Sequence, residues 1–82
     1  MPSTIGFHLH NNYSQDVIVT VFDLFGGGQR QTWSGPLNQD ETADVAVYSD
    51  SDGHGSASWI ATNGPTNTNT SIDDGDTCEL NP

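Results

Sequence analysis

Apolar and polar residues alternate with a period of two over most of the chain. Near the start, Ile5, Phe7 and Leu9 fall on one face, with small and polar residues between them. The segments 41–48 and 55–62 alternate in the same way. Because successive side chains of a β-strand point to opposite faces of the sheet, this pattern predicts half-buried strands.

One segment is apolar on both faces. It reads DVIVTVFDL at residues 16–24, and such a strand is typical of the middle of a sheet. Weaker strands are predicted at residues 29–34, 66–71 and 77–80, and the second of these is polar enough for an edge strand or a surface loop. We expect Leu37, in the loop that follows the first of them, to close one end of the core.

No segment has helical periodicity over ten residues. Five to seven short strands predict an all-β fold, a small antiparallel β-sandwich or barrel in one domain spanning residues 1–82. Hairpins are expected around the Asn-rich turn 11–15 and around the DSDGHG loop 50–55. The large apolar side chains predict the core: Ile5, Phe7, Leu9, Val17, Ile18, Val19, Val21, Phe22, Leu24, Trp33, Leu37, Val45, Val47, Trp59, Ile60, Ile72 and Leu80.

Composition limits how stable this core is. Apolar residues make up 32% of the 82 residues, and a chain of this length buries only about 60% of its unfolded surface. Cys78 is the single cysteine, so no disulfide forms within one chain. Small domains gain stability from disulfides, metals or self-association, so we expect a homo-oligomer or a bound metal.

The net charge of the chain limits the classes of partner that it can bind. Eleven acidic residues and a single Arg30 give a formal net charge of −10, which repels nucleic acid and anionic lipid headgroups. The net charge does not exclude cations, cationic partners or neutral ligands such as glycans. No apolar run is long enough for a transmembrane segment, and the first residues lack the pattern of a signal peptide. A secreted or cell-surface location is favoured, for a mature chain.

The DSDGHG loop has the outline of a calcium site. Asp50 and Asp52 would supply hard oxygen ligands, and calcium is the one cofactor that this loop suggests. The helix-loop-helix form is excluded, because Ala61 stands where a bidentate glutamate is required and no helices flank the loop. The alternative is a polar hairpin loop without metal.

A second candidate metal site consists of histidines. His8 and His10 lie two residues apart, so on a strand they would point to the same face and could share zinc, nickel or copper. His54 or an acidic loop would supply a third ligand. The alternative is that both histidines simply face solvent.

Aromatic and amide side chains suggest binding. Trp33, Tyr13 and Tyr48 offer flat faces on which sugars stack, with Asn11 and Asn12 as hydrogen-bonding groups. The alternative for tryptophan is a place in the core. Catalysis is not expected, since no nucleophile motif or phosphate-binding loop is present.

Residues 7–19, FHLHNNYSQDVIV, resemble the first hairpin of aegerolysin-like and thaumatin-like β-sandwich proteins. In those families an alternating strand leads through an Asn-rich turn into a V/I-x-V strand. The resemblance implies a non-enzymatic, surface-active module that binds lipids or glycans, or forms pores. The cysteine framework of the thaumatin-like group is missing, and no binding residue is carried over.

Three functions follow as hypotheses. The first is a non-catalytic binding module for a glycan or another cell-surface ligand, with calcium as an optional aid. The second is a small toxin-like or membrane-active protein that acts as an oligomer. The third is a structural or assembly protein.

Overall fold

The computed structural model describes residues 3–82, which form seven strands and one 3-10 turn. The strands are β1 (Thr4–His10), β2 (Val17–Asp23), β3 (Arg30–Leu37), β4 (Thr42–Tyr48), β5 (Gly55–Ala61), β6 (Thr66–Ile72) and β7 (Thr77–Glu79), with the 3-10 turn at Phe25–Gly27. The all-β prediction is therefore confirmed.

The strands form two sheets. One sheet has three strands in the order β4-β1-β7, and the other has four in the order β3-β2-β5-β6. All pairs are antiparallel except β1 with β7, which run parallel. β2 lies between β3 and β5, as its two apolar faces predict, and β6 is an edge strand.

Both predicted hairpins are wrong at the level of the sheet. β1 and β2 follow each other along the chain but lie in different sheets, and so do β4 and β5. The DSDGHG loop closes locally through an isolated antiparallel bridge between Ser49 and Gly55, and the chain then crosses between sheets. The alternation of apolar and polar residues shows which face of a strand is buried but not which strand pairs with it. The pattern therefore did not reveal that the chain crosses between the sheets at these two places.

β3 is longer than predicted. It continues through Gly35 and Pro36 to Leu37, where a loop was expected. Proline donates no ladder hydrogen bond, so it is tolerated in a strand that lies at the edge of its sheet, as β3 does. Leu37 is buried and closes one end of the core, as predicted.

The core lies between the two sheets. Trp59 is its largest side chain, and its indole N–H donates to the carbonyl of Leu80 at 3.0 Å. Ile18 and Ile60 were predicted in the core but are 56% and 49% exposed, because they point away from the opposite sheet. The buried apolar residues are Ile5, Phe7, Leu9, Val17, Val19, Val21, Leu37, Ala43, Val45, Val47, Ala57, Trp59, Ala61, Ile72, Cys78 and Leu80.

Candidate functional site

The two N-terminal histidines share a face of β1 but turn to opposite neighbours. His8 lies across from Asp44 on β4, and its Nδ1 is 2.6 Å from that carboxylate. His10 lies across from Glu79 on β7, with Nδ1 2.7 Å from the carboxylate and Nε2 3.8 Å from Asp40. Each imidazole therefore has its own acidic partner, and the two partners are on opposite sides of β1.

The DSDGHG loop is organised by its first aspartate. Asp50 Oδ1 accepts the backbone N–H groups of Asp52 at 2.9 Å and His54 at 3.0 Å. The His54 N–H above all, with the Asp52 N–H, holds the pKa of the Asp50 carboxyl below its ordinary value despite an opposing desolvation effect. The first oxygen of Asp50 thus stabilises the turn.

The acidic segment 73–76 lies beside this loop. His54 Nδ1 is 2.6 Å from Asp73 Oδ1, so the two polar loops meet. Asp74 accepts the backbone N–H of Gly6 at 2.9 Å, and Asp76 accepts that of Asp73 at 2.8 Å. Within residues 3–82, no three histidine, cysteine or acidic side chains form a group that could hold a metal ion.

The His54–Asp73 pair invites comparison with a serine hydrolase. The cleft beside His54 is also lined by Ser51 and Ser56. Ser56 Oγ donates to the carbonyl of Thr70 at 3.3 Å, and among the hydrogen bonds of residues 3–82 neither serine hydroxyl joins the imidazole. A nucleophile requires its base within hydrogen-bond reach, so this arrangement is a hydrogen-bonded histidine–aspartate pair and not an assembled triad.

Three of the predicted ligand-binding residues lie in the loop that follows β1. Asn11 is fully buried: its amide nitrogen donates to the carbonyls of Gln15 and Leu37, and its oxygen accepts the N–H of Tyr13. Asn11 therefore holds the loop in shape and offers no surface to a ligand. Tyr13 is half-buried against the core, and Asn12 bonds reciprocally to the backbone of residue 81.

The remaining two predicted aromatics are apart from that loop. Trp33 pairs with Val21 on the inner side of β3 and packs, half-buried, against the core. Tyr48 ends β4 and pairs with Thr4, at the opposite end of the three-stranded sheet from His10. The predicted aromatic and amide residues therefore do not form a single site.

Tyr48 belongs to an aromatic cluster that sequence reasoning did not identify. The Phe25 ring contacts it edge-on, with centroids 5.6 Å apart and an interplanar angle of 66°. The Arg30 guanidinium lies over the Tyr48 ring, 4.6 Å from its centroid. Phe25 is 42% exposed, so an apolar aromatic surface faces solvent here.

A buried carboxylate holds this cluster together. Asp23 is 2% exposed and accepts three hydrogen bonds: Arg30 Nη2 at 2.8 Å, the Tyr48 N–H at 2.9 Å and the Phe25 N–H at 3.0 Å. These donors come from β3, β4 and the 3-10 turn. One side chain therefore fixes both aromatics and the single arginine relative to the end of β2.

The 3-10 turn presents Phe25 because glycines follow it. Gly26 and Gly27 have φ of 69° and 81°, in the left-handed region that other residues rarely adopt. The sequence contained two signals for this site: an aspartate that ends an apolar strand, and an arginine that is the chain's only basic side chain apart from histidine. Neither signal shows on its own that the two side chains meet.

Clefts open on both sides of the Phe25–Tyr48 pair. The larger has a volume of about 400 Å³ and is lined on its polar side by Asp50, Ser51, His54 and Ser56. The smaller, of about 200 Å³, is lined by Asp23 and Arg30 together with the chain that leads into β3. We call the larger cavity, with Phe25 and Tyr48 as its aromatic wall, the aromatic cleft.

Comparison of the chain with protein-family models, with curated proteins and with solved structures found no match. The resemblance of residues 7–19 to aegerolysin-like and thaumatin-like proteins therefore stays a prediction. Within residues 3–82, no helix is long and apolar enough to cross a membrane.

Proposed function

We propose that this protein is a non-catalytic binding module that recognises a neutral glycan in the aromatic cleft. The observation that carries the proposal is the exposed Phe25 ring, fixed against Tyr48 at the wall of a cavity of about 400 Å³. Such a volume lies in the usual range for small-ligand sites, about 300–1,000 Å³. Sugars present apolar C–H faces that stack on aromatic rings, and their hydroxyls need polar partners.

The same cleft is also lined by polar side chains. Asp50 has one carboxylate oxygen engaged with the loop backbone, and the second oxygen takes no part in those bonds. Ser51 and His54 add groups that donate or accept hydrogen bonds. A ligand with many hydroxyls and a flat apolar face would satisfy both the polar and the aromatic groups of the cleft.

The charges favour a neutral ligand over an anionic one. The chain carries a net charge of −10, and its single arginine is already paired with Asp23 and stacked on Tyr48. The chain has no lysine and no second arginine to hold a phosphate, sulfate or carboxylate. Anionic sugars would therefore meet repulsion without compensation.

Preorganisation supports the same proposal. The three hydrogen bonds to Asp23 fix the backbone on both sides of the aromatic pair. A site that is ordered before the ligand arrives loses less conformational entropy on binding.

A glycan array followed by titration of the best ligand tests the proposal. We expect Phe25→Ala to abolish binding and Phe25→Leu, which keeps an apolar side chain without a flat ring, to weaken it about tenfold or more. Ile18→Ala, an exposed apolar residue outside the cleft, is the matched control and should bind like the wild type.

Two further results would decide against it. If no neutral glycan binds the wild type, or if Phe25→Ala binds as well as the wild type, the cleft is not a glycan site. Titrations with calcium and with EDTA check the predicted aid from a cation. Equal affinity in both would remove calcium from the proposal and leave the aromatic cleft.

A structural or assembly role is the second candidate. It is favoured by the outer face of the four-stranded sheet, which carries two exposed isoleucines. The two isoleucines do not line the aromatic cleft, so both roles can exist in one molecule.

A further inference from the structure

The outer face of the four-stranded sheet is uncharged. β2 and β5 lie at its centre, and their side chains alternate between the core and solvent. The outward set from these two strands is Ile18, Thr20, Phe22, Ser56, Ser58 and Ile60, and Ser56 also lines the aromatic cleft. The flanking strands add a serine and a proline from β3 and two threonines from β6, at positions set by the strand register. We call this surface the neutral face.

The apolar side chains of the neutral face are grouped. Thr20 is paired with Ile60 on β5, and Ile18 lies two residues before Thr20 on β2, so the two isoleucines are diagonal neighbours. Pro36 lies across from Ile18 on the other side. The Thr20 hydroxyl is engaged with Ser34 Oγ at 3.3 Å, so it points along the sheet to its neighbour.

The opposite side of the molecule has the reverse character. The outward side chains of the three-stranded sheet include His8, Asp44 and Glu79, and the acidic segment 73–76 lies against the same sheet. Charge is therefore separated between two faces of one small domain. A cationic partner would be drawn to the acidic sheet, which leaves the neutral face for a partner that is itself uncharged at the contact.

We propose that the neutral face binds the neutral face of a second copy of this chain, in a symmetric dimer. Two chains of charge −10 repel each other wherever acidic surfaces meet, and this face lets them approach with no acid at the centre of the contact. A two-fold interface brings a patch against itself, and an uncharged apolar patch is complementary to itself. Two sheets stacked this way lie about 10 Å apart.

The size of the face determines the strength of the dimer. Four strands at about 4.8 Å spacing and seven residues at about 3.3 Å give roughly 19 by 23 Å. Two copies then cover on the order of 900 Å² in projection, which falls among weak and transient interfaces. We therefore expect a weak dimer that forms only at high protein concentration.

Salt provides a signature of this interface. The contact itself holds no ion pair, whereas the rest of each chain repels its partner. Screening by salt weakens that repulsion and leaves the apolar contact in place. Association should therefore become tighter when salt is raised, whereas a dimer held by ion pairs would become weaker.

Sedimentation equilibrium of the full chain tests the proposal, at concentrations up to about 1 mM and in low and high salt. Ile60→Asp places a charge at the centre of the face and should weaken dimerisation about tenfold or more. Ala46→Asp adds the same charge to an exposed strand position on the acidic sheet and should leave dimerisation unchanged. Ile60→Thr keeps a β-branched neutral residue and should weaken the dimer less than Ile60→Asp does.

Circular dichroism checks that each variant is folded. If Ile60→Asp does not fold, dimerisation of Ile60→Thr is compared with that of the wild type. The proposal is overturned if the wild type is monomeric at about 1 mM in high salt, or if Ala46→Asp weakens association as much as the Ile60 variants do. It is also overturned if amide protection on dimerisation appears along the edge strand β6, because edge pairing would then form the dimer. Phe25→Ala should dimerise normally, which separates this test from that of the aromatic cleft.

Discussion

Replacing Asp23 with alanine should destabilise the end of the sandwich that carries the aromatic cleft. The substitution removes three hydrogen bonds at once, from Arg30 Nη2 and from the backbone N–H groups of Tyr48 and Phe25. These donors lie on three different elements, so no single repacked side chain replaces the carboxylate. The predicted effect is a loss of both stability and glycan binding.

The magnitude follows from how exposed each partner is. A hydrogen bond to a charged group contributes about 1.5–3 kcal/mol when buried. The Arg30 side chain is 53% exposed, so we count its bond at no more than about 1 kcal/mol. The two backbone bonds contribute about 1 kcal/mol each, because Tyr48 is half-buried and Phe25 exposed. The sum is about 3 kcal/mol, reduced to about 2–3 kcal/mol because alanine needs no desolvation of a carboxylate.

This loss is large for so small a chain. An 82-residue domain has a free energy of unfolding of about 4–12 kcal/mol. Each kcal/mol shifts the Tm of a domain this size by about 4–8 °C, so a loss of about 2–3 kcal/mol in Asp23→Ala should lower it by about 8–24 °C. Chemical denaturation followed by tryptophan fluorescence measures the free energy of unfolding, and calorimetry measures the Tm.

The arginine provides the internal control. Arg30→Met keeps an apolar stem over Tyr48 but removes both the bond to Asp23 and the cation–π contact, while Asp23 keeps its two backbone donors, so it should cost less than Asp23→Ala does. Asp44→Ala removes an exposed acid that is paired with His8, and should cost about 0.5 kcal/mol or less. The reasoning fails if Asp23→Ala costs less than about 1 kcal/mol, or if Arg30→Met costs as much as Asp23→Ala does.

Three further predictions concern packing, reactivity and pH. Gly55→Ala should cost about 1–3 kcal/mol, because a Cβ there would lie 2.7 and 2.8 Å from two core side chains, while Gly6→Ala, with its nearest contact at 3.9 Å, should be close to neutral in the same denaturation assay. Burial, followed by the nearby acidic charges, raises the pKa of the Cys78 thiol; at about pH 8 a thiol reagent should therefore react about tenfold or more slowly with the folded chain than with the unfolded one, and equal rates would contradict this. The pKa of Asp50 is lowered in the folded state, so its charge stabilises the fold above the ordinary aspartate pKa of about 4, and this contribution is lost as the pH falls through the folded pKa. The stability difference between the wild type and Asp50→Asn should thus be larger at neutral pH than in strong acid, and a difference that does not change with pH would refute the assignment.

Local patterns predicted which residues form strands and which of their faces are buried. Alternation placed Phe7, Val45 and Trp59 in the core, and the two apolar faces of β2 placed it inside a sheet. The same two-faced pattern misled for Ile18, because a central strand of a two-layer sandwich has only one face against the other sheet. The second face needs a third layer, and the chain supplies none among residues 3–82.

The pairing of strands was not predictable from the same pattern. Nothing in the alternation distinguishes a turn that returns to its own sheet from a loop that crosses to the other, and the chain crosses at both places where hairpins were expected. The parallel pairing of β1 with β7 joins residues almost seventy positions apart. This parallel pairing is stabilised by Asp74, which accepts the Gly6 N–H. No local sequence pattern predicts such a contact.

Only part of the aromatic cleft was predicted, because its residues come from elements that the sequence does not place side by side. Tyr48, Asp50 and His54 were all candidate site residues, but under two different chemistries, and they line one cavity. Phe25 was overlooked because a single aromatic beside three glycines has no periodic context. Asp23 was overlooked because its role depends on donors from β3 and β4, which the sequence does not place.

The acidic residues have a larger structural role than their net charge indicates. Six of the carboxylates accept backbone N–H groups in loops or at strand ends: Asp16, Asp23, Glu41, Asp50, Asp74 and Asp76. Four others lie beside histidines: Asp40, Asp44, Asp73 and Glu79. A chain with one cysteine and a small core has few ways of fixing long loops. A carboxylate that accepts two or three N–H donors is one such way. The cost is mutual repulsion on the surface, which this fold confines to the loops and the three-stranded sheet. This distribution of carboxylates leaves the neutral face without charge, and it is through this face that two such acidic molecules can associate.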